Sequence, residues 1–189
     1  MRVLQINSVC GIRSTGRICT DIADILANDG YSCKIAYGRE NTLKKFSDIA
    51  VRTDTYSGVR IHALQSRIFD NSGFARYGAT EKFLKNISEF EPDIIHLHNI
   101  HGYYINVEAL FRELKKLGKP VVWTLHDCWA FTGHCTYFSL ADCEKWRSGC
   151  ENCPQKRSYP KSLVFDRSRE NYLRKKELFC GVEDMVLVT

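Results

Sequence analysis

The stretch VVWTLHDCWAFTGHC, residues 121–135, starts as a buried strand and ends in a cluster of polar and sulfur-bearing side chains. VVWTLH is short, mostly apolar and rich in β-branched residues, which is typical of a strand. The residues that close it carry chemistry: His126, Asp127, Cys128, His134 and Cys135. In an open parallel sheet, ligands bind beyond the carboxyl ends of the strands. The stretch therefore indicates both the kind of sheet and the place of a site.

The beginning of the chain has the pattern of a strand, a loop, a helix and a second strand. RVLQIN (2–7) is the first strand, and the loop GIRSTG (11–16) follows it. RICTDIADILANDG (17–30) has helical spacing and ends at Gly30, with a predicted buried stripe of Ile18, Ile22, Ile25 and Leu26. Together with YSCKIAYG (31–38), this unit opens a parallel α/β sheet.

The rest of the chain continues the alternation. Strands are predicted at SDIAVR, DIIHLH, VVWTLH and DMVLVT, and helices at 59–69, 79–93, 105–120 and 166–181, the last with Asp166 as its N-cap. DNSGFARYG (70–78) is expected to be an exposed loop. The predicted fold class is α/β: a Rossmann-like parallel sheet flanked by helices, with a Cys-rich loop over 128–160.

Size and composition fit one globular domain over 1–189, with 44% hydrophobic and 26% charged residues. No apolar run of 18 residues exists, so we expect no transmembrane helix. MRVLQINSV is too short and too polar for a signal peptide, which makes a cytoplasmic location the expectation. Because the chain stops inside a predicted buried strand, we expect it to be either the N-terminal domain of something longer or a truncated product.

Positive charge concentrates late in the chain. Residues 145–176 contain ten basic and three acidic residues. Such a run forms either a solvated face or a surface for anionic partners such as lipid headgroups, diphosphates or nucleic acid.

The GIRSTG loop has features of a phosphate-binding turn. Gly11 and Gly16 have the spacing of a P-loop, but Arg17 and Ile18 replace the Lys and Ser/Thr that an NTPase needs. The dinucleotide pattern GxGxxG is also absent. Two interpretations stay open: a simple strand–helix turn, or a helix start around Thr15 whose free backbone N–H groups bind a phosphate.

HLHNIHG (96–102) places a second polar cluster after a strand. Strand alternation puts His96 and His98 on one face, where they form half a metal site, substrate contacts, or polar residues satisfied by their neighbours without a function. With the GIRSTG loop and with His126 and Asp127, three strand ends are expected to converge on one rim of the sheet.

The cysteines of the late segment follow the pattern C-x6-C-x7-C-x6-C-x2-C. The last pair forms a CENC turn typical of structural zinc sites. We predict a zinc bound by Cys135, Cys143, Cys150 and Cys153, with disulfides and free thiols as alternatives. Cys128 has no assigned partner.

Three segments, DIIHLHNIHGYYIN, KPVVWTLHDCWAFTGHC and CEKWRSGCENCPQ, resemble the N-terminal half of bacterial family 4 (group 1) glycosyltransferases, most closely the polysaccharide-biosynthesis type. The resemblance implies a GT-B enzyme, in which two Rossmann-like domains face a cleft. This chain would be the acceptor-side domain, without the C-terminal donor-binding domain, and inactive alone. Glu81 and Glu89 match the spacing of the family's Glu-x7-Glu motif by accident.

The resemblance also implies a reaction and residue roles. A sugar would pass from a nucleotide-sugar to a hydroxyl acceptor with retention of configuration and no catalytic metal. The loop with Gly11, Thr15 and Gly16 would approach the donor diphosphate. His126 and Asp127 would be catalytic, contacting and orienting the donor sugar. The acceptor contacts would be His98, Asn99 and His101.

The acceptors of such enzymes are often lipid-linked, so helix 166–178 and the Phe74–Tyr77 loop are a candidate surface for peripheral contact with an anionic membrane at its inner face. No nucleic acid is expected as a partner. Two rival hypotheses stay open: a zinc-stabilised basic module that binds nucleic acid, and another Rossmann-type nucleotide-binding enzyme.

Overall fold

The computed structural model describes all 189 residues, and its centre is one parallel sheet of six strands. The strands run in the order β3-β2-β1-β4-β5-β6, with β1 (Arg2–Ile6), β2 (Ser32–Tyr37), β3 (Ala50–Arg52), β4 (Ile94–Leu97), β5 (Val121–Thr124) and β6 (Met185–Val188). All neighbouring pairs are parallel. This is the strand order of the Rossmann fold, so the predicted fold class is confirmed.

Five helices flank the sheet: α1 (Arg13–Asn28), α2 (Tyr56–Phe69), α3 (Tyr77–Ser88), α4 (Val107–Leu117) and α5 (Ser168–Phe179). Two apolar clusters form the core. The larger contains Leu110, Phe111 and Trp123, and the smaller contains Cys19 and Ile35. Because β1 pairs with both β2 and β4, the order of the strands reverses at β1, and the crevice for ligands opens there. No helix is both long and apolar enough to cross a bilayer.

Helix α1 differs from the sequence prediction in its start and in its buried face. It begins at Arg13, inside the predicted loop, and buries Gly16, Cys19, Thr20 and Ala23. The predicted stripe is only partly correct: Ile18 and Ile25 are exposed, whereas Ile22 and Leu26 are half-buried and Leu26 packs against the smaller core cluster. Small residues let the helix approach the sheet closely enough for Gln5 Nε2 of β1 to donate to the Cys19 carbonyl at 2.8 Å.

The segment 70–78, predicted to be an exposed loop, is largely buried. Gly73 has φ +84°, and a Cβ there would lie 2.9 Å from the Trp129 ring. The Gly73 carbonyl accepts a 2.7 Å hydrogen bond from the backbone N–H of Val107 at the start of α4. The segment is thus part of the packing between α4 and the Cys-rich segment.

Helix α5 begins two residues after Asp166, and the Asp166 side chain accepts from the backbone N–H of Ser168 at 3.0 Å. Asp166 therefore stabilises the helix start, although it is not the residue at the boundary. The helix is basic but not wholly a solvated face, because Lys175 is 2% exposed. Its Nζ donates to the Trp129 carbonyl at 2.6 Å and lies 4.0 Å from the centre of the Trp129 ring.

Candidate active-site rim

The side chain of Asn7 connects the carboxyl ends of β1 and β4 by hydrogen bonds. The side chain of Asn7 is fully buried, and its Nδ2 donates to the Val9 carbonyl at 2.8 Å and to Thr15 Oγ1 at 3.2 Å. Its Oδ1 accepts from the backbone N–H of Asn99 at 3.3 Å. One amide therefore joins the predicted donor loop to the residues after β4.

In the loop before α1, glycines at positions 11 and 16 allow the backbone to approach neighbouring residues closely. Gly11 has φ +70°, and a Cβ at this position would lie 2.5 Å from Phe46 Cδ2. A Cβ on Gly16 would lie 3.2 Å from the Gly11 nitrogen. The first turn of α1 contains no acidic residue, and its N-cap Ile12 offers no side-chain hydrogen bond. The N-terminal N–H groups of the helix and its dipole thus favour an anion at this place.

Three histidines stand together at the ends of β4 and β5. The rings of His96 and His98 have centres 4.1 Å apart, which confirms that they share a face. His96 Nε2 lies 2.9 Å from Thr124 Oγ1, and His98 Nδ1 lies 3.0 Å from His126 Nε2. His98 is 2% exposed, whereas His126 is half-buried and borders the rim.

The hydrogen bonds from Gln5 through His98 to His126 show which ring nitrogens of the two histidines carry a proton. The Gln5 amide donates to the Cys19 carbonyl, so its Oε1 accepts from His98 Nε2 at 3.1 Å. His98 Nδ1 is then an acceptor, and His126 Nε2–H donates to it. The remaining nitrogen of His126, Nδ1, carries a lone pair. A neutral His126 can therefore accept a hydrogen bond from a hydroxyl group of a ligand.

Burial keeps these imidazoles neutral. Desolvation, followed by the nearby His96 and His126, lowers the pKa of His98 to about 3. Desolvation also lowers the pKa of His96 and of His126, and at His126 it outweighs the opposing charge of Asp127. The cluster is thus a set of hydrogen-bonding groups at neutral pH, and not a cationic patch.

Asp127 belongs to a second chain of hydrogen bonds. Its Oδ2 accepts from His101 Nε2 at 2.6 Å, and its Oδ1 accepts from the Trp129 backbone N–H at 2.9 Å. Burial alone would raise the pKa of Asp127, but these hydrogen bonds and the charge of His101 outweigh it and lower that pKa. His101 Nδ1 lies 3.2 Å from the Tyr159 hydroxyl, to which Arg39 donates at 3.4 Å.

The predicted site residues differ in how accessible they are to a ligand. His98 and His101 are buried, so either would act on a ligand mainly through its neighbour, while Asn99 and His126 are half-buried at the rim. His98, Asn99, His126 and Asp127 line one small cleft.

Comparison with known proteins identifies the family of the chain. Residues 15–175 match the family model described as Glycosyltransferase Family 4. The chain belongs to glycosyltransferase family 4. The match includes α1 from its third residue onward, the histidine cluster and all of the Cys-rich segment, and it favours the glycosyltransferase hypothesis over both rivals.

A curated relative of this family 4 domain is the putative colanic acid biosynthesis glycosyl transferase WcaC of Escherichia coli (strain K12). The two are 26% identical over 190 residues, which cover 95% of the chain and 45% of WcaC. The chain thus spans less than half the length of that relative.

The four cysteines predicted to bind zinc lie together in the family 4 domain, where they line one small cavity. Interaction between the thiols of Cys135 and Cys153 lowers the pKa of Cys135 and raises that of Cys153. All nine cysteines are free thiols. No group of three or more His, Cys, Asp or Glu side chains is arranged to hold a metal ion as it stands.

Sequence reasoning missed several residues that organise the rim. Gln5 and Asn7 are polar residues in and after an apolar strand, and that placement was a usable signal of contacts at the strand end. Tyr159 contacts His101 across 58 residues of chain, for which the sequence contains no signal.

Proposed function

We propose that this protein is the acceptor-side domain of a glycosyltransferase that transfers a sugar from a nucleotide-sugar to a hydroxyl acceptor in polysaccharide biosynthesis. The family match and the relationship to a colanic acid glycosyl transferase support the class. The observation that carries the proposal is the His98–His126 pair, which leaves a hydrogen-bond acceptor on His126 at the rim.

His126 is the proposed contact to the donor sugar. Departure of the nucleoside diphosphate leaves positive charge on the sugar, so the site must hold the sugar in place and stabilise the leaving group. A neutral imidazole adds no positive charge beside this centre, and its Nδ1 can accept from a sugar hydroxyl. Gln5 and His98 act behind it as positioning residues, because they fix its tautomer.

Asp127 has a supporting role in this proposal. Both of its carboxylate oxygens already accept hydrogen bonds, from His101 and from the Trp129 backbone. It therefore holds the residues after β5 in place and orients His126, its neighbour in the chain. The acceptor sugar would lie near Asn99, with His101 and Tyr159 behind that position.

The donor diphosphate is proposed to bind at the start of α1. The open first turn with Thr15, together with the close approach of backbone at Gly11 and Gly16, provides N–H groups and a favourable dipole. Retention of configuration is the expected stereochemical outcome, and no catalytic metal has a role in the mechanism. In a GT-B enzyme a second domain closes the site, so assays require the full-length protein, including any residues beyond Thr189.

The structure suggests a different membrane-facing surface from the one predicted. Phe74 is covered by Arg174, whose guanidinium lies 4.0 Å from the ring centre. Exposed apolar side chains stand instead beside basic ones between α2 and α5: Leu163, Val164 and Phe165 beside Lys156, Arg157 and Lys161.

We propose that this segment, residues 156–165, makes peripheral contact with anionic lipid. Replacement of Leu163 and Phe165 by Ser should abolish co-sedimentation with anionic liposomes, and equal binding to neutral liposomes would contradict the proposal.

A structural zinc held by sulfur atoms of Cys135, Cys143, Cys150 and Cys153 is proposed to stabilise the Cys-rich segment. The shared cavity supports this proposal. The segment has little regular structure of its own, and a metal would compensate for that.

The proposed reaction is tested with the full-length protein and a panel of nucleotide-sugars. We expect release of a nucleoside diphosphate from one class of donor when a hydroxyl acceptor is added, with the anomeric proton of the product showing retention by NMR. An inverted product would contradict the mechanism, and no turnover with any donor would contradict the function.

A further inference from the structure

His134 is buried in the Cys-rich segment, and only one of its ring nitrogens has a partner. Nδ1 lies 2.5 Å from Asp70 Oδ1, and the two side chains are 0% and 3% exposed. Nε2 is buried and has no hydrogen-bond partner. Since buried polar atoms in native proteins are almost always paired, this atom requires an explanation.

Asp70 holds the imidazole from a fixed position. It is the left-handed C-cap of α2. Its Oδ2 accepts from the backbone N–H of Arg167 at 2.7 Å, and its carbonyl accepts from Asn171 Nδ2 at 2.5 Å. Asp70 thus connects α2, α5 and the Cys-rich segment. A carboxylate that accepts from one nitrogen of an imidazole and leaves the other free is the arrangement that orients metal-binding histidines.

The surroundings of His134 are rich in sulfur. His134 lines the same small cavity as Cys135, Cys143, Cys150 and Cys153. Trp146 lines this cavity too, and its buried Nε1–H likewise has no partner. An indole N–H is a donor only, and a thiolate sulfur accepts hydrogen bonds. Two unpaired polar atoms at one cavity fit a bound metal with thiolate ligands.

We propose that His134 Nε2 is a ligand of a Zn²⁺ ion, that three of the four cysteine sulfurs complete a tetrahedral site with it, and that Asp70 positions the imidazole. The proposal rests on the structural zinc proposed above and changes its ligand set. On binding, each ligating thiol releases its proton to solvent while His134 binds as a neutral imidazole. Zinc draws the side chains together, since no three of them are yet arranged to hold it.

The rival explanation is an ordinary buried ion pair between Asp70 and His134. In that case a zinc site of four cysteines, a disulfide or free thiols would account for the sulfur atoms. The two explanations differ in which substitutions release zinc, and zinc content does not depend on transferase activity.

The experiment measures zinc per chain, by elemental analysis, in full-length protein purified under reducing conditions. The variants are His134→Gln, which keeps a donor for Asp70, His134→Cys, which supplies a replacement ligand, and the four single Cys→Ser variants. His62→Gln is the matched control, because His62 is also buried with an unpaired Nε2 but does not line the cavity. Circular dichroism of each variant reports whether it folds.

We expect about one zinc per chain in the wild type, His62→Gln and His134→Cys, and loss of zinc in His134→Gln and in three of the Cys→Ser variants. X-ray absorption of the wild type should show a Zn–N distance of about 2.0–2.1 Å beside Zn–S distances of about 2.3 Å. Asp70→Asn should weaken zinc affinity about 10–100-fold.

Three results would overturn the proposal. Zinc retained in His134→Gln but lost in all four Cys→Ser variants would assign a site made of the four cysteines alone. A wild-type protein without zinc would exclude the metal. Sulfur-only coordination in the absorption spectrum would remove His134 from the site even if every variant misfolds.

Discussion

His98 should make the stability of the protein depend on pH, and replacing it by Gln should remove a defined part of that dependence. In the folded state its ring is buried, donates to Gln5 and accepts from His126. Its pKa falls from 6.5 to about 3, with desolvation as the largest cause. In the unfolded chain the ring is free to bind a proton near its ordinary pKa.

The size of the effect follows from proton linkage. Because the folded pKa is depressed, the unfolded state binds more protons below about pH 6.5, and the free energy of unfolding decreases as the pH falls from there toward the folded pKa. Between about pH 7.5 and pH 5, His98 alone should account for a loss of about 2 kcal/mol. His62, with a pKa lowered by burial to about 4, should add a comparable loss in the same range.

Urea denaturation of wild type, His98→Gln and His62→Gln at about pH 7.5, 6 and 5 measures these losses. His98→Gln should be less stable than wild type at pH 7.5, since it loses buried hydrogen bonds, but its stability should decrease about 2 kcal/mol less on acidification. Parallel pH profiles for wild type and His98→Gln would refute the argument that His98 is neutral in the fold.

Three other substitutions test separate parts of the structure. Gly11→Ala forces a Cβ into positive φ and against Phe46, and should destabilise the fold by about 1–3 kcal/mol and weaken donor binding in a titration. Asn7→Ala leaves the Asn99 backbone N–H without a partner, and should lower stability by about 1–3 kcal/mol and raise the KM for the donor. Trp129→Ala removes a 2% exposed ring beneath Lys175, and should cost about 3–5 kcal/mol in denaturation; a loss under about 1 kcal/mol would contradict the packing described.

The parallel sheet and its rim were predictable because their signals are local. Short apolar strands alternate with helical spacing, and polar residues directly follow the strands. The histidine pair at 96 and 98 followed from strand alternation, which holds wherever a strand is pleated. The family resemblance then assigned the class of enzyme that the family match supports.

The errors and omissions concern contacts between distant segments. The face of α1 was only partly correct, because small residues pack closer to the sheet than the branched ones that periodicity favours. Burial of 70–78 depends on Trp129, and the Asp70–His134 pair spans 64 residues. Neither has a local signal, because such contacts form only after the sheet has assembled. Lys175 belongs to the basic run 145–176, which was expected to form a solvated face or a surface for anionic partners, but its ammonium is buried against Trp129.

The most direct test of the central claim is the rate of sugar transfer by full-length His126→Ala, with melting temperature and zinc content measured on the same sample. Loss of the imidazole should reduce kcat by about 100-fold or more, by analogy with removal of one positioned hydrogen-bonding group from an active site. The zinc content should stay at the wild-type level, because His126 lies outside the cysteine cavity. The melting temperature should fall by only a few degrees, because the half-buried His126 makes one hydrogen bond, to His98. Unchanged transfer would contradict the assignment of the rim as the reaction site, and joint loss of activity and zinc would contradict its separation from the metal site.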